Sequence, residues 1–213
     1  MRVESYFSPA AAGESEVVEK RSRFIGHVVP ADSEDKAREA ISRARSRYHD
    51  ARHHCWCYII RGVAERYSDD GEPQGTAGLP MLEVFRRGGI VDFCCVVTRY
   101  FGGTLLGAGG LSRAYGEAAK QALEDSGLAE FRLYECMSIT CAYNLLGAIK
   151  SDIEQAGGIA ESVEYGENVL FSVIVPDGYA QTLNKRLADT SAGAVTGVVT
   201  GRKWSPNSFS RYK

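Results

Sequence analysis

Ile159-Ala160-Glu161-Ser162-Val163-Glu164-Tyr165-Gly166-Glu167-Asn168-Val169-Leu170-Phe171-Ser172-Val173-Ile174-Val175 reads as two strands folded back on each other. Ile159 to Tyr165 is one strand and Val169 to Val175 the other, and Gly166-Glu167-Asn168 is a turn short enough for an antiparallel hairpin. Before the hairpin, Leu146, Ile149, Ile153 and Ala156 recur at helical spacing and stop at Gly157-Gly158, and Arg132 to Ala142 precedes them as a strand. After it, Asp177 stands where it can cap a helix carrying Ala180, Leu183 and Leu187, and Ala194 to Thr200 is a last strand. The order β-α-β-β-α-β is the split βαβ arrangement of a ferredoxin-like domain.

Further out, the N-terminal part follows a different plan. Glu16 to Val29 is extended with a break at Arg21-Ser22. A helix runs from Ser33 to Tyr48, capped by Asp32 or Ser33, with Ala37, Ala40, Ile41, Ala44 and Tyr48 on one face. Cys55 to Arg61 is a strand, Asp69 to Gly78 a turn-rich loop, and Leu79 to Arg87 a short helix with Pro80 in its first turn. Asp92 to Thr98 is nearly all apolar, as in a strand covered on both faces. Arg99 to Gly110 reads as a loop, and Ser112 to Ser126 as a helix capped by Ser112 and stopped by Gly127. The reading is an α+β protein of two domains, residues 1–128 and 129–201, with a loose polar tail at 202–213.

Composition bounds the function. The chain has 213 residues, with 25 Lys+Arg against 27 Asp+Glu, which excludes a wholesale polyanion binder but not a local patch. Residues 36–66 hold eight basic side chains against three carboxylates, either a solvated helix face or a docking surface. None of the six cysteines forms a C-x-x-C pair, so no zinc site is expected and the cysteines read as small buried hydrophobes. No apolar run approaches the roughly 20 residues of a membrane-spanning helix, and the N-terminus lacks a signal-peptide core, so a cytoplasmic protein is expected.

Two segments can carry chemistry. In Arg99-Tyr100-Phe101-Gly102-Gly103-Thr104-Leu105-Leu106-Gly107-Ala108-Gly109-Gly110-Leu111-Ser112-Arg113, glycines between a strand and a helix start allow close backbone approach to a phosphate. Arg99 and Arg113 flank it, and Tyr100, Phe101 and Tyr115 offer stacking faces. The alternative is a tight structural crossover. The second segment, Asp69-Asp70-Gly71-Glu72-Pro73-Gln74-Gly75-Thr76, puts three carboxylates in four residues. It lacks EF-hand spacing and reads as an exposed acidic turn rather than a cation site.

Asp69-Asp70-Gly71-Glu72-Pro73-x-Gly75-Thr76-Ala77-Gly78-x-Pro80 and Arg99-Tyr100-Phe101-Gly102-Gly103-x-x-Leu106-Gly107-x-Gly109-Gly110-Leu111-x-Arg113-Ala114-Tyr115 together resemble the signatures of the YigZ/IMPACT family. Lys20-Arg21-Ser22-Arg23-Phe24-Ile25 and His53-His54-Cys55 are similar to that family's N-terminal pieces. The resemblance implies an N-terminal domain like domain IV of elongation factor G, with a left-handed βαβ crossover, and a ferredoxin-like C-terminal domain. It also implies translational control. The first expectation is a non-enzymatic regulator without a cofactor that binds RNA or the ribosome through Arg99, Tyr100, Phe101, Gly102, Gly103, Gly107, Gly110, Arg113 and Tyr115. One alternative is a nucleotide-binding enzyme using the same loop with Asp69, Asp70, Gly71, Glu72 and Thr76. Another is a protein-interaction module docking through the Arg43 and Arg47 face.

Overall fold

The structure is a computed structural model and describes residues 5–207, so the N-terminal residues read for a signal sequence and the tail beyond Asn207 lie outside the described residues. The chain divides into two compact units, Tyr6–Glu130 and Phe131–Asn207. The division falls inside a strand rather than in a linker.

The described chain opens with β1 (Ser5–Pro9); in the first unit β2 (Gly13–Glu19) and β3 (Ser22–Pro30) then lead into helix α1 (Glu34–Arg47). Then come β4 (His53–Ile60), β5 (Ala64–Ser68), α2 (Gly78–Gly88), β6 (Phe93–Tyr100) and α3 (Gly107–Ser126). The sheet order is β2-β3-β6-β4-β5, with every neighbouring pair antiparallel. β3 and β4 are therefore parallel to each other and separated by β6, and α1 is the crossover joining them. The break at Arg21-Ser22 is a tight turn with Lys20 and Arg21 at φ 45° and 70°.

β6 is buried on both faces because helices lie on both. Cys94 and Val96 pack with Ala37, Ile41 and Ala44 of α1. Cys95 and Val97 pack with Met81 and Phe85 of α2 and Ala118 and Ala122 of α3 on the other face. Ser33 caps α1, accepting from the Lys36 N–H.

Three readings of this half are corrected. Arg99 and Tyr100 belong to β6, not to a loop. α3 begins at Gly107, five residues before Ser112, because burial of Leu111, Ala114, Tyr115 and Ala118 outweighs the weak helix propensity of its glycines. β5 is an additional strand, polar and at the sheet edge.

The second unit contains β7 (Leu128–Cys141), α4 (Leu146–Gln155), β8 (Ile159–Tyr165), β9 (Val169–Pro176), α5 (Ala180–Thr190) and β10 (Gly197–Pro206). β10 pairs with β7, β7 with β9 and β9 with β8, the ferredoxin-like order 4-1-3-2. Ile149, Ile153, Leu183 and Leu187 of the helices close over Ile139, Phe171 and Val173. Two details differ from the sequence reading. Residues 202–206 are not a loose tail but the end of β10, with Arg202 opposite Glu135 and Trp204 opposite Leu133. Asp177 does not cap α5; the Glu135 carboxylate does so from β7, accepting from the Gly178 and Ala180 N–H groups at 3.1 and 3.0 Å.

Candidate functional site

Both glycine-rich segments lie at one end of the first sheet, where β6 finishes and β3 and β4 begin. Arg23 of β3 stands opposite Tyr100, and His53 of β4 opposite Arg99.

The acidic loop is built around Asp69. Its carboxylate accepts from the backbone N–H of Gly75 at 2.8 Å, Ala77 at 3.0 Å and Gly78 at 2.9 Å. Two of those groups open α2, so Asp69 caps that helix from eight and nine residues away. Asp70 accepts from the His54 N–H at 2.7 Å and from the Arg45 guanidinium at 2.8 Å. Gly71 takes φ +87°, and a Cβ there would fall 3.3 Å from His53 Nδ1. Thr76 donates from its hydroxyl to the Pro73 carbonyl at 2.7 Å.

Glu72 turns inward. Arg99 Nη1 and the Tyr115 hydroxyl both donate to its Oε1 at 2.7 Å. Arg99 is 7% exposed and Tyr115 fully buried. The Arg99 guanidinium also lies 5.4 Å from the Phe24 ring and 5.5 Å from the Phe101 ring. Burial, with Cys55 and Glu72 alongside, pushes the Tyr115 hydroxyl pKa up, so it stays a donor. Burial likewise raises the Cys55 thiol, whose Sγ faces the Asp69 carbonyl at 3.0 Å.

This geometry corrects the site drawn from sequence. Gly71, Pro73 and Gln74 of the acidic turn are exposed, but Asp69 and Asp70 are half-buried, Glu72 is buried, and all three carboxylates organise the loop. Arg99 and Tyr115 are structural and do not face solvent. Gly102 is also structural: a Cβ there would fall 2.0 Å from the Arg21 carbonyl carbon, and its N–H donates to Ser22 Oγ at 3.1 Å. Tyr100 leans over β3, donating to Asp50 at 2.6 Å with the Arg23 guanidinium 5.8 Å from its ring.

What remains at the surface is Phe101 at 55% and Leu105 at 85% exposure, Gly103, Gly107 and the first turn of α3. That turn has no side-chain cap. The Arg113 guanidinium lies back along it, 3.7 Å from where a Gly109 Cβ would sit, and Gly110 packs on Leu106. Lys20, Arg21 and Arg52 are exposed at the same end. Sequence reasoning counted Arg52 only within the basic 36–66 segment and Ser22 only within a family signature, and gave neither a place here; Ser22 is the buried hydroxyl that joins Arg99 to Gly102. The Arg-rich 36–66 face is largely neutralised: Arg38, Arg43, Arg45, Arg47 and Arg66 all pair with carboxylates.

A ferredoxin-like unit following an α/β/α unit whose two glycine-rich loops meet through a buried Arg-Glu pair defines a two-domain architecture with known counterparts. The Impact N-terminal domain model matches residues 20–123, and a domain of unknown function, DUF1949, matches residues 139–194. The IMPACT family member YvyE of Bacillus subtilis is 38% identical over 191 residues, covering 89% of this chain and 88% of that protein. The IMPACT family member YigZ of Escherichia coli is 35% identical over 199 residues, covering 91% and 97%. A crystal structure of a hypothetical protein superposes with a TM-score of 0.62 at 34% identity, covering 92% of this chain and 97% of its own. The chain belongs to the IMPACT family. Among the described residues no helix is long and apolar enough to cross a membrane.

Proposed function

We infer that the first unit binds RNA, with the ribosome as its source, and acts in translational control without catalysing a reaction. One observation carries the reading: at the end of the sheet where the two signature loops meet, the loop carboxylates are engaged by backbone N–H groups and by Arg45, Arg99 and Tyr115, while Lys20, Arg21 and Arg52 are exposed there and Phe101 and Arg113 are exposed on the glycine-rich segment that follows β6. Exposed cations together with a half-exposed aromatic ring are the composition of a phosphate-tracking, base-stacking surface. The uncapped first turn of α3 adds outward N–H groups to that surface. Charge is local here, which reconciles polyanion binding with the net charge of −2.

The nucleotide-enzyme alternative needs free carboxylates for Mg²⁺ or for a base. Asp69, Asp70 and Glu72 instead spend their oxygens on backbone N–H groups, Arg45, Arg99 and Tyr115. Co-sedimentation with ribosomes and their subunits across a salt series tests the reading. Binding should weaken steeply with salt, and Arg21→Ala/Arg52→Ala/Arg113→Ala should lower the slope of log K against log salt by up to about 3, near one for each phosphate that is no longer neutralised. Salt-insensitive binding, or a triple variant that binds like the parent, overturns it.

A further inference from the structure

The other face of the first sheet carries a cleft unrelated to the loops. It lies between α1 and the β2–β3 side of the sheet, with a volume of about 370 Å³, within the range of small-molecule sites. It exists because α1 rests on β4 and β6. Ala37 and Ile41 pack with Tyr58, Ile60, Cys94 and Val96, and the helix stops short of covering Val29 on β3. Its helical wall is made of alanines, Ala40 and Ala44, which leave the space unfilled. Val29, Cys94 and Val96 form an apolar floor.

The rim is charged. Lys36, Arg43 and Arg47 fall at i, i+7 and i+11 on α1 and line the cleft, against Glu39 and Glu14. Arg43 pairs with Glu39 and Arg47 with Glu14, while Lys36 turns to Asp32 outside the cleft. All of these pairs are solvent-exposed, so each holds weakly and can exchange its carboxylate for another. His27 closes the inner end, 3.0 Å from the Tyr48 hydroxyl and 3.3 Å from Glu14.

We propose that this cleft is a binding site for a small organic carboxylate with an apolar body, its chain on Val29, Cys94 and Val96 and its carboxylate taken by Arg43 and Arg47. An apolar floor rewards burial of a hydrocarbon, and a guanidinium pair at the mouth selects an anionic head. The ligand displaces the Glu39 and Glu14 side chains into water, where they lose little.

Three probes that share a ten-carbon chain test this: decanoate, decanol and decyltrimethylammonium, each titrated below its micellar concentration into the ¹⁵N-labelled full chain. Decanoate is expected to shift the Ala40, Ala44 and Val96 amide resonances saturably, and to bind at least tenfold tighter than the ammonium. Arg43→Ala/Arg47→Ala should weaken decanoate at least tenfold and leave decanol unchanged. Ala40→Leu, which fills the cleft, should abolish both. The proposal is overturned if decanoate leaves those amides unmoved, if the ammonium binds as tightly, or if the arginine variant binds decanoate like the parent. The arginine variant keeps the test decisive should Ala40→Leu fold poorly.

Discussion

Replacing Arg99 by methionine isolates what holds the two signature loops together. Arg99 and Glu72 are 7% and 4% exposed by side chain and meet at 2.7 Å. Without the guanidinium, the Glu72 carboxylate stays buried with the Tyr115 hydroxyl as its remaining donor. Breaking a buried pair from one side costs about 3–5 kcal/mol, because the surviving charge is left uncompensated. At about 4 °C per kcal/mol the first unit should melt roughly 10–20 °C lower. Glu72→Leu should cost a similar amount by stranding the cation. The double variant Arg99→Met/Glu72→Leu, which removes both charges, should recover more than half of the summed loss. The assay is urea and thermal unfolding in a Trp204→Phe background, which leaves Trp56 of β4 as the single tryptophan and reports the first unit. Single variants that lose less than about 1 kcal/mol, or a double variant that equals their sum, would refute the claim that this pair is the coupling between the loops.

Gly102→Ala should destabilise the first unit by about 3 kcal/mol, since the new Cβ meets Arg21 backbone that cannot swing aside; a parent-like melting curve would contradict the packing. Glu135→Ala should cost about 1–2 kcal/mol in the second unit by removing the carboxylate that caps α5, seen as earlier amide exchange in that helix. Burial holds the His27 and His54 pKa values below 6.5, so the unfolded chain takes up more protons in mild acid; their contribution is present above pH 6.5 and lost as pH falls through the folded values. Unfolding free energy should therefore decline from pH 7.5 to 5.5, and a His27→Asn/His54→Asn variant should flatten that slope.

The second unit was readable because its signals are local. The alternation of Ile159 to Val175 and the helical stripe of Leu146, Ile149 and Ile153 each fit one template. The end of β10 was not, since Arg202-Lys203-Trp204-Ser205-Pro206 carries no apolar alternation and joins the sheet only because β7 runs long enough to pair with it. The start of α3 was hidden by Gly107, Gly109 and Gly110, which argue against a helix locally and are overruled by packing. At the site, the error about Arg99 came from ending the strand at Thr98. Extending the alternation of Cys95 and Val97 by two more residues aims Arg99 at the core. Tyr115 also falls on the buried stripe of Leu111, Ala114 and Ala118, a pattern visible in the sequence. No sequence signal places Glu72 beneath Arg99; that requires the fold.

The inward carboxylates have a practical corollary for handling the protein. Its pI of about 6.1 sums all charges without regard to place, yet Asp70 and Glu72 are matched at close range by Arg45 and Arg99, so these pairs present little field of either sign. A column sees the uncompensated face, not the formula. Near neutral pH this acidic chain should be retained on immobilised heparin, and the Arg21→Ala/Arg52→Ala/Arg113→Ala chain should run through, whereas removing three arginines from the paired α1 face, Arg38, Arg43 and Arg47, gives the same bulk charge and should leave retention unchanged.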